Sequence, residues 1–397
     1  MPRTAAGWSE SRAVLAFVLS LVPVGMLSCG DTRPSRLQEE GVLSGAGGTF
    51  SLVEEIRIDG EVDDLVAISD VAPGPHGIVA FAQRMDLAVL FYDDAGNRVG
   101  SVGRAGSGPG EFQGIHPLGW VADTLWVNDP WQGRLTLIGP DLTVVRTLNV
   151  PRAFIRNGGA GSYLRFMQPV AYYGAGRMLV GGDVLDEYGV LAQLEVTGQA
   201  RVVAILTPSY ADLNAIVAPD GARAVAEPFP TTPVYGVSPD SRLAAVVSMQ
   251  MESQLLNVVM LDAEGDTLVS EEHGFEGIPI PRSLSDSLVN ARVSGIRPYN
   301  PALARLYAER ARIPPYLPPA VSVIVGDDGT LWIEQWRSGQ QRPYVVLDSS
   351  ARGIGRLALP WSSRVAAGNA QLVWIVERDE VGLESLVRYR IRRLDPS

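Results

Sequence analysis

The chain has 397 residues, 46% of them hydrophobic and 19% charged, with 42 Gly and 28 Pro. That balance excludes a disordered or collagen-like polymer and supplies apolar material for a sizeable core. Its 33 basic residues are all Arg, so Schiff-base chemistry and a phosphate-loop lysine are excluded by inventory, and a net charge of -11 argues against nucleic acid as a partner.

The amino terminus reads as an export signal. Arg3 and Arg12 flank a polar start, and from Ala13 the run AVLAFVLSLVPVGMLS leads to Cys29, the single cysteine. The run is shorter than the ~20 residues a spanning helix needs, and Pro23 and Gly25 break it, so residues 1–28 are expected to be a cleaved signal peptide. Leu27 and Ser28 ahead of Cys29 resemble the bacterial lipoprotein box, in which the cysteine is lipidated and becomes the first mature residue. The competing reading is an incidental thiol in a discarded peptide. Lipidation implies the membrane as a partner and a periplasmic or outer-membrane location; more than one acyl chain is needed for firm anchoring. Residues 29–48 lack apolar periodicity and read as a flexible tether.

Residues 49–397 carry six copies of one pattern, a short apolar strand, a loop, and a second apolar strand closing on a turn. The copies start at Gly77, Asp123, Gly176, Ser241, Gly329 and Ala370, and each follows a further strand-like piece such as VAISDVAPGP or SRVAAGN. Five have an outer strand after the turn, as in DAGNRVGSVG; the last has none. Four-stranded units repeated six times predict an all-β fold, a six-bladed β-propeller of antiparallel blades. The unassigned strand TFSLVEEIRID at 49–59 is expected to complete the sixth blade and remove its free edge.

An irregular segment at 276–318 predicts two short helices, with Leu284, Leu288 and Val289 on one face of the first and Leu303, Leu306 and Tyr307 on one face of the second. Pro301 lies near the second start. A cap packed on a propeller face is preferred over a lid across the central opening.

The sequences GRAGSGPGEF at 103–112, DTLWVNDPWQGRLTLIGPDLTVVRTL at 123–148 and ARIPPYLPPAVSVIVGDDGTLWIEQW at 311–336 resemble the bacterial six-bladed propeller lipoproteins with NHL-like repeats. The resemblance spans about residues 50–395 and implies the fold; the family's members largely lack an assigned activity, so no reaction is carried over. In the first of these segments, Gly103, Gly106, Gly108 and Gly110 supply backbone freedom and Pro109 fixes φ. Glu111 is expected to accept hydrogen bonds from this loop or pair with Arg104, and Phe112 to wedge between blades. A connector between the first and second blades is preferred over a phosphate cradle, because no helix follows the glycines.

Enzymatic propellers gather His, Asp, Glu or Asn around a central channel. Only His76, His116 and His273 exist here, in places too different to share a zinc ion. Asp63-Asp64, Asp93-Asp94 and Asp327-Asp328 read as turn chemistry rather than a calcium loop. No nucleophile elbow occurs, and Trp126, Trp332, Trp336 and Trp374 are expected in the core rather than as a sugar platform. No catalytic residue, metal ligand or cofactor is assigned. The expected role is a lipid-anchored binding or scaffold module for a protein, peptide or glycan at the bacterial envelope, with a metal-dependent hydrolase or lyase as the alternative.

Overall fold

In a computed structural model, residues 48–393 are described apart from 152–153, 156–163, 185–187, 207–214, 219–223 and 337–338. The expected signal peptide, Cys29 and most of the tether lie outside the described residues. Six antiparallel sheets stand in a ring as the blades of a β-propeller.

The chain starts with β1 (Phe50–Ile58), passes a helical turn α1 (Gly60–Asp63), and builds blade one from β2 (Ile68–Pro73), β3 (Val79–Gln83), β4 (Ala88–Tyr92) and β5 (Arg98–Val102). Blade two holds β6 (Leu118–Val121), β7 (Thr124–Asp129), β8 (Arg134–Ile138) and β9 (Val144–Asn149). Blade three holds β11 (Leu164–Gly174), β12 (Arg177–Val184), β13 (Tyr188–Glu195) and β14 (Gln199–Ile205); β10 (Phe154–Ile155) adds to β14 in parallel. A hairpin outside the ring, β15 (Ala215–Val217) and β16 (Ala224–Ala226), precedes blade four, which is β17 (Val234–Val237), β18 (Leu243–Gln250), β19 (Leu255–Asp262) and β20 (Thr267–Gly274). Helices α2 (Arg282–Ile296) and α3 (Pro301–Arg310) follow. Blade five is β21 (Ser322–Val325), β22 (Leu331–Glu334), β23 (Gln341–Leu347) and β24 (Gly353–Pro360); β25 (Ser363–Gly368), β26 (Leu372–Arg378) and β27 (Glu384–Arg393) begin blade six. β1 completes that blade, running antiparallel to β27 from Phe50 opposite Arg393 to Ile58 opposite Leu386.

The burial pattern explains the strands. VAFAQ of β3 and AVLFY of β4 are buried at every position because neighbouring blades cover both faces of a middle strand, whereas RVGSV of β5 is largely open. Six apolar clusters hold the ring together, one for each pair of neighbouring blades. Trp126, Trp332 and Trp374 are buried in them. Trp336 is half-buried against Phe229, with ring centroids 5.0 Å apart.

Antiparallel order sorts the loops onto two faces. The connections between blades and the turns between second and third strands share one face, here called upper; the remaining turns share the lower. On the lower face the β17–β18 turn reaches past blade three to blade two. There the Trp120 amide donates to the Pro239 carbonyl (2.6 Å) and Trp126 Nε1 donates to Ser241 Oγ (2.9 Å). Lower turns of blades five and six are joined by Asn369 Nδ2 donating to Asp327 (3.1 Å) and the Ala370 amide donating to Asp328 (2.9 Å).

The two predicted helices form, and Asn300 caps α3 by accepting from the Leu303 amide (2.9 Å). Their apolar side packs on the β15–β16 hairpin rather than on the blades. Val293, Leu303, Ala304 and Tyr307 cluster with Ile216 and Ala218, and the Tyr307 hydroxyl donates to the Ala226 carbonyl (3.0 Å). In α2 the expected Val289 joins the cluster together with Val293 and Ile296, while the expected Leu284 and Leu288 lie outside it. Among the described residues no helix is long and apolar enough to cross a membrane.

Candidate functional site

The upper ends of the inner strands carry the titratable side chains. β2 would continue straight through Asp70, but its pairing with β3 slips between Ser69 and Ala72, and Asp70 takes a left-handed φ of 50°. Such bulges re-aim a side chain, and Asp tolerates that conformation better than most residues. The Asp70 carboxylate thereby meets Nδ1 of His116 at 2.7 Å. His116 enters from the connection into blade two, its backbone pinned there. Its amide donates to the Asn128 carbonyl (3.0 Å), and its carbonyl accepts from Asn128 Nδ2 (2.6 Å) and Gln168 Nε2 (3.4 Å).

The pair is asymmetric. The His116 side chain is 56% exposed and that of Asp70 is 9% exposed, so the imidazole faces water while the carboxylate orients it from behind. Burial pushes the Asp70 carboxyl up, but the hydrogen bond and charge of His116, the nearby Ser69 hydroxyl and the charge of Arg84 outweigh it and hold it below the usual range. The bond to Asp70 raises His116, against burial and the Arg84 charge. Asp70 Oδ2 remains buried without a good hydrogen-bond partner.

A belt of charge continues across blades six and five. Arg364, the second residue of β25, reaches across to donate to the Ile68 carbonyl at the head of β2. Burial holds its guanidinium below the usual arginine range, against the charges of Glu384, Tyr344 and Asp70. Glu384 accepts from the Ile68 amide (2.7 Å) and pairs with Arg378 (2.9 Å). Glu334 pairs with Arg342 (2.5 Å) and accepts from Ser322 Oγ (3.0 Å). Chemically, this mouth offers an oriented imidazole and guanidinium groups from more than one blade.

The glycine-rich loop 103–112 lies beside the mouth and uses its polar groups partly within itself and partly on blade two. Glu111 pairs with Arg104 (2.7 Å) and accepts from the Gly108 amide (2.8 Å). Gly103, Gly106 and Gly110 have φ of 118°, 155° and 71°. Arg134 donates to the carbonyls of Ser107 (3.0 Å), Gly108 (2.8 Å) and Glu111 (2.6 Å). Phe112, next to Pro109-Gly110-Glu111, is fully buried in the cluster between blades one and two.

The other histidines sit elsewhere. His76 faces Asp123 (3.3 Å) across exposed lower turns, and His273 is on the outer strand of blade four. Among the described residues no group of three or more His, Cys, Asp or Glu is placed to share a metal ion. Asp93 accepts from the amides of Ala95 (3.0 Å) and Asn97 (2.8 Å), Asp328 from that of Thr330 (2.9 Å), and Asp64 caps α1 with a left-handed φ of 54°. Two surface hollows of about 250 and 210 Å³ open away from the mouth, one on the lower flank of blade three around Tyr173 and Arg177, the other between lower turns of blades one and two around His76 and Leu142. Sequence reading missed Asp70, Arg84, Arg364 and Arg134; the available signal was a polar residue at the head of an otherwise apolar inner strand, as in Ser69-Asp70 and Ser363-Arg364.

No protein-family model and no curated protein matches this chain. Among solved structures, a member of the DUF4221 family from Bacteroides vulgatus is similar at 11% identity and a TM-score of 0.48, over 87% of this chain and 99% of that one. A protein from Bacteroides fragilis is similar at 8% and 0.47, over 89% and 98%. Virginiamycin B lyase from Staphylococcus aureus is similar at 10% and 0.41, over 86% and 99%. These are resemblances of backbone path, and the chemistry of the mouth rests on this chain's own residues.

Proposed function

We propose that the chain is an exported six-bladed propeller, anchored by lipid on Cys29, that binds an extended segment of an envelope protein or peptide on its upper face. The observation that carries this reading is an arc of solvent-facing apolar side chains on the upper face of blades one, two and six, beside a polar mouth. Met85, Trp131 and Val381 stand on turns between second and third strands, 73%, 54% and 81% exposed, and Trp361, at 56%, stands on the connection into blade six. Apolar anchors beside a polar mouth suit a peptide partner, and aliphatic anchors such as Met85 and Val381 suit it better than they suit a glycan. The direction of β1 is consistent with the anchor, since β1 begins at its lower end, with Phe50 opposite Arg393, on the side away from the upper face.

A photo-crosslinking residue replacing Trp131 or Trp361 should yield adducts with peptide or protein in intact envelopes, and one replacing Val145 on β9 should not. Equal labelling from both positions would refute the binding face, and adducts with saccharide alone would transfer the partner to the glycan class. Cys29→Ser should move the protein into the soluble fraction; unchanged fractionation would refute the anchor.

The Asp70–His116 pair favours a second reading, a hydrolase or lyase using the imidazole for proton transfer. Turnover in a lactone and ester panel, abolished by His116→Ala, would establish it.

A further inference from the structure

Arg364 and Arg84 feel the charge of nearby carboxylates, Glu384 and Asp70 for the first and Asp70 for the second, but neither forms a direct ion pair among the described residues. The carboxylates whose charge reaches Arg364 are each engaged elsewhere, Asp70 with His116 and Glu384 with Arg378. Arg364 itself meets the Ile68 carbonyl only, and no described carboxylate lies within ion-pair distance of it or of Arg84. A part-buried guanidinium bonded only to a neutral carbonyl is costly, and an anion brought by a ligand lowers that cost. Arg84 opens the β3–β4 turn directly beside the head of β2, where Gln83 pairs with Ile68 and the Arg84 amide donates to the Ala67 carbonyl (3.5 Å), and its charge acts on both Asp70 and His116. Nε2 of His116 makes no hydrogen bond within the described residues, while Nδ1 is held by Asp70.

We propose that the upper mouth seats a carboxylate of the bound partner, with Arg364 and Arg84 as counter-charges and His116 Nε2 as a donor. This rests on the upper face being the binding face. Planar guanidinium groups suit a carboxylate in bidentate geometry, and the oriented imidazole adds directionality.

The test uses full-length protein with ¹⁵N-labelled histidine, titrated with tricarballylate, its neutral triamide and inorganic phosphate. Tricarballylate should shift the His116 ring resonances saturably and the triamide should not. Arg364→Gln and Arg84→Gln should each weaken tricarballylate about tenfold, the loss expected for one charge-assisted hydrogen bond, while Arg282→Gln on the exposed face of α2 should have no effect. If Arg364→Gln does not fold, the exposed Arg84 variant decides alone. Equal response to acid and triamide, or unchanged affinity in the variants, would overturn the carboxylate seat. Phosphate binding tenfold tighter than tricarballylate would also overturn it, in favour of a phosphorylated ligand. Adducts at position 131 or 361 alongside an unresponsive His116 would sink the seat and leave the binding face standing.

Discussion

Asp70 spends backbone strain to point its carboxylate at His116, and that pair sets the pH behaviour of the mouth. The lowered carboxyl contributes stability that is present above ~3.9 and is lost as pH falls through its folded value; the raised imidazole contributes below ~6.5 and loses it as pH rises through its own. The pair therefore stabilises most between about pH 4 and 6.5. Asp70→Asn should lower the His116 pKa measured by NMR titration, and the stability advantage of the unaltered protein should be largest near pH ~5 and shrink by pH ~8. An advantage constant across that range would show that the pair is not coupled to folding. Steric fit gives a second residue-scale outcome. A Cβ at Gly60 would stand 2.4 Å from the Glu384 carbonyl oxygen, while one at Gly133 would meet nothing within 4 Å. Gly60→Ala should cost about 1–3 kcal/mol through overpacking against backbone. Gly133, with φ of 61°, carries only the left-handed penalty of about 1–2 kcal/mol. Paired urea titrations compare them, and an unaltered midpoint for Gly60→Ala would contradict the close approach.

Loops and turns are the elements where sequence chemistry translates most directly into structure. Asp93, Asp262 and Asp348 each open a turn between third and fourth strands and accept from two amides downstream. The 103–112 loop is different, because its order is imposed from blade two by Arg134. Arg134→Ala removes three guanidinium bonds to loop carbonyls and should cost about 2 kcal/mol, with chemical-shift changes confined to residues 103–112 and their neighbours. A loss below experimental error would mean that Glu111 and Phe112 hold the loop unaided. The helices show the limit of periodicity: the pattern marks a buried side but not its partner, and Tyr307 found the Ala226 carbonyl of a hairpin that the sequence had not advertised. Three-residue strands such as Ala215–Val217 carry too little alternation to be recognised.

At the scale of the whole molecule, closure by β1 makes the ring a single cooperative unit. Deleting residues 48–58 would strip β27 of its outer neighbour, expose its edge and remove Phe50 from the cluster between blades five and six. Such a protein is expected to elute as aggregates and to lose a single sharp thermal transition. A monomer with an unaltered transition would show that five complete blades and a three-stranded sixth suffice. The two faces also diverge in character. Lower turns are bonded to one another across blades, while the upper face keeps exposed apolar anchors and a polar mouth, which is why binding is assigned there.

The blade count, the four-strand unit and the closing role of residues 49–59 were legible in the chain by itself, because a repeated apolar hairpin buried on both sides leaves the same local signature each time. The turn aspartates and the two helices were legible for the same reason: their determinants lie within a few residues of each other. Tertiary structure alone decided the mouth. Asp70 meets His116 across 46 residues and Arg364 meets Ile68 across 296, through a bulge and a ring closure that leave no mark on local periodicity. Proximity around an axis depends on the heads of separate strands arriving at one place, and no single segment of sequence contains that information.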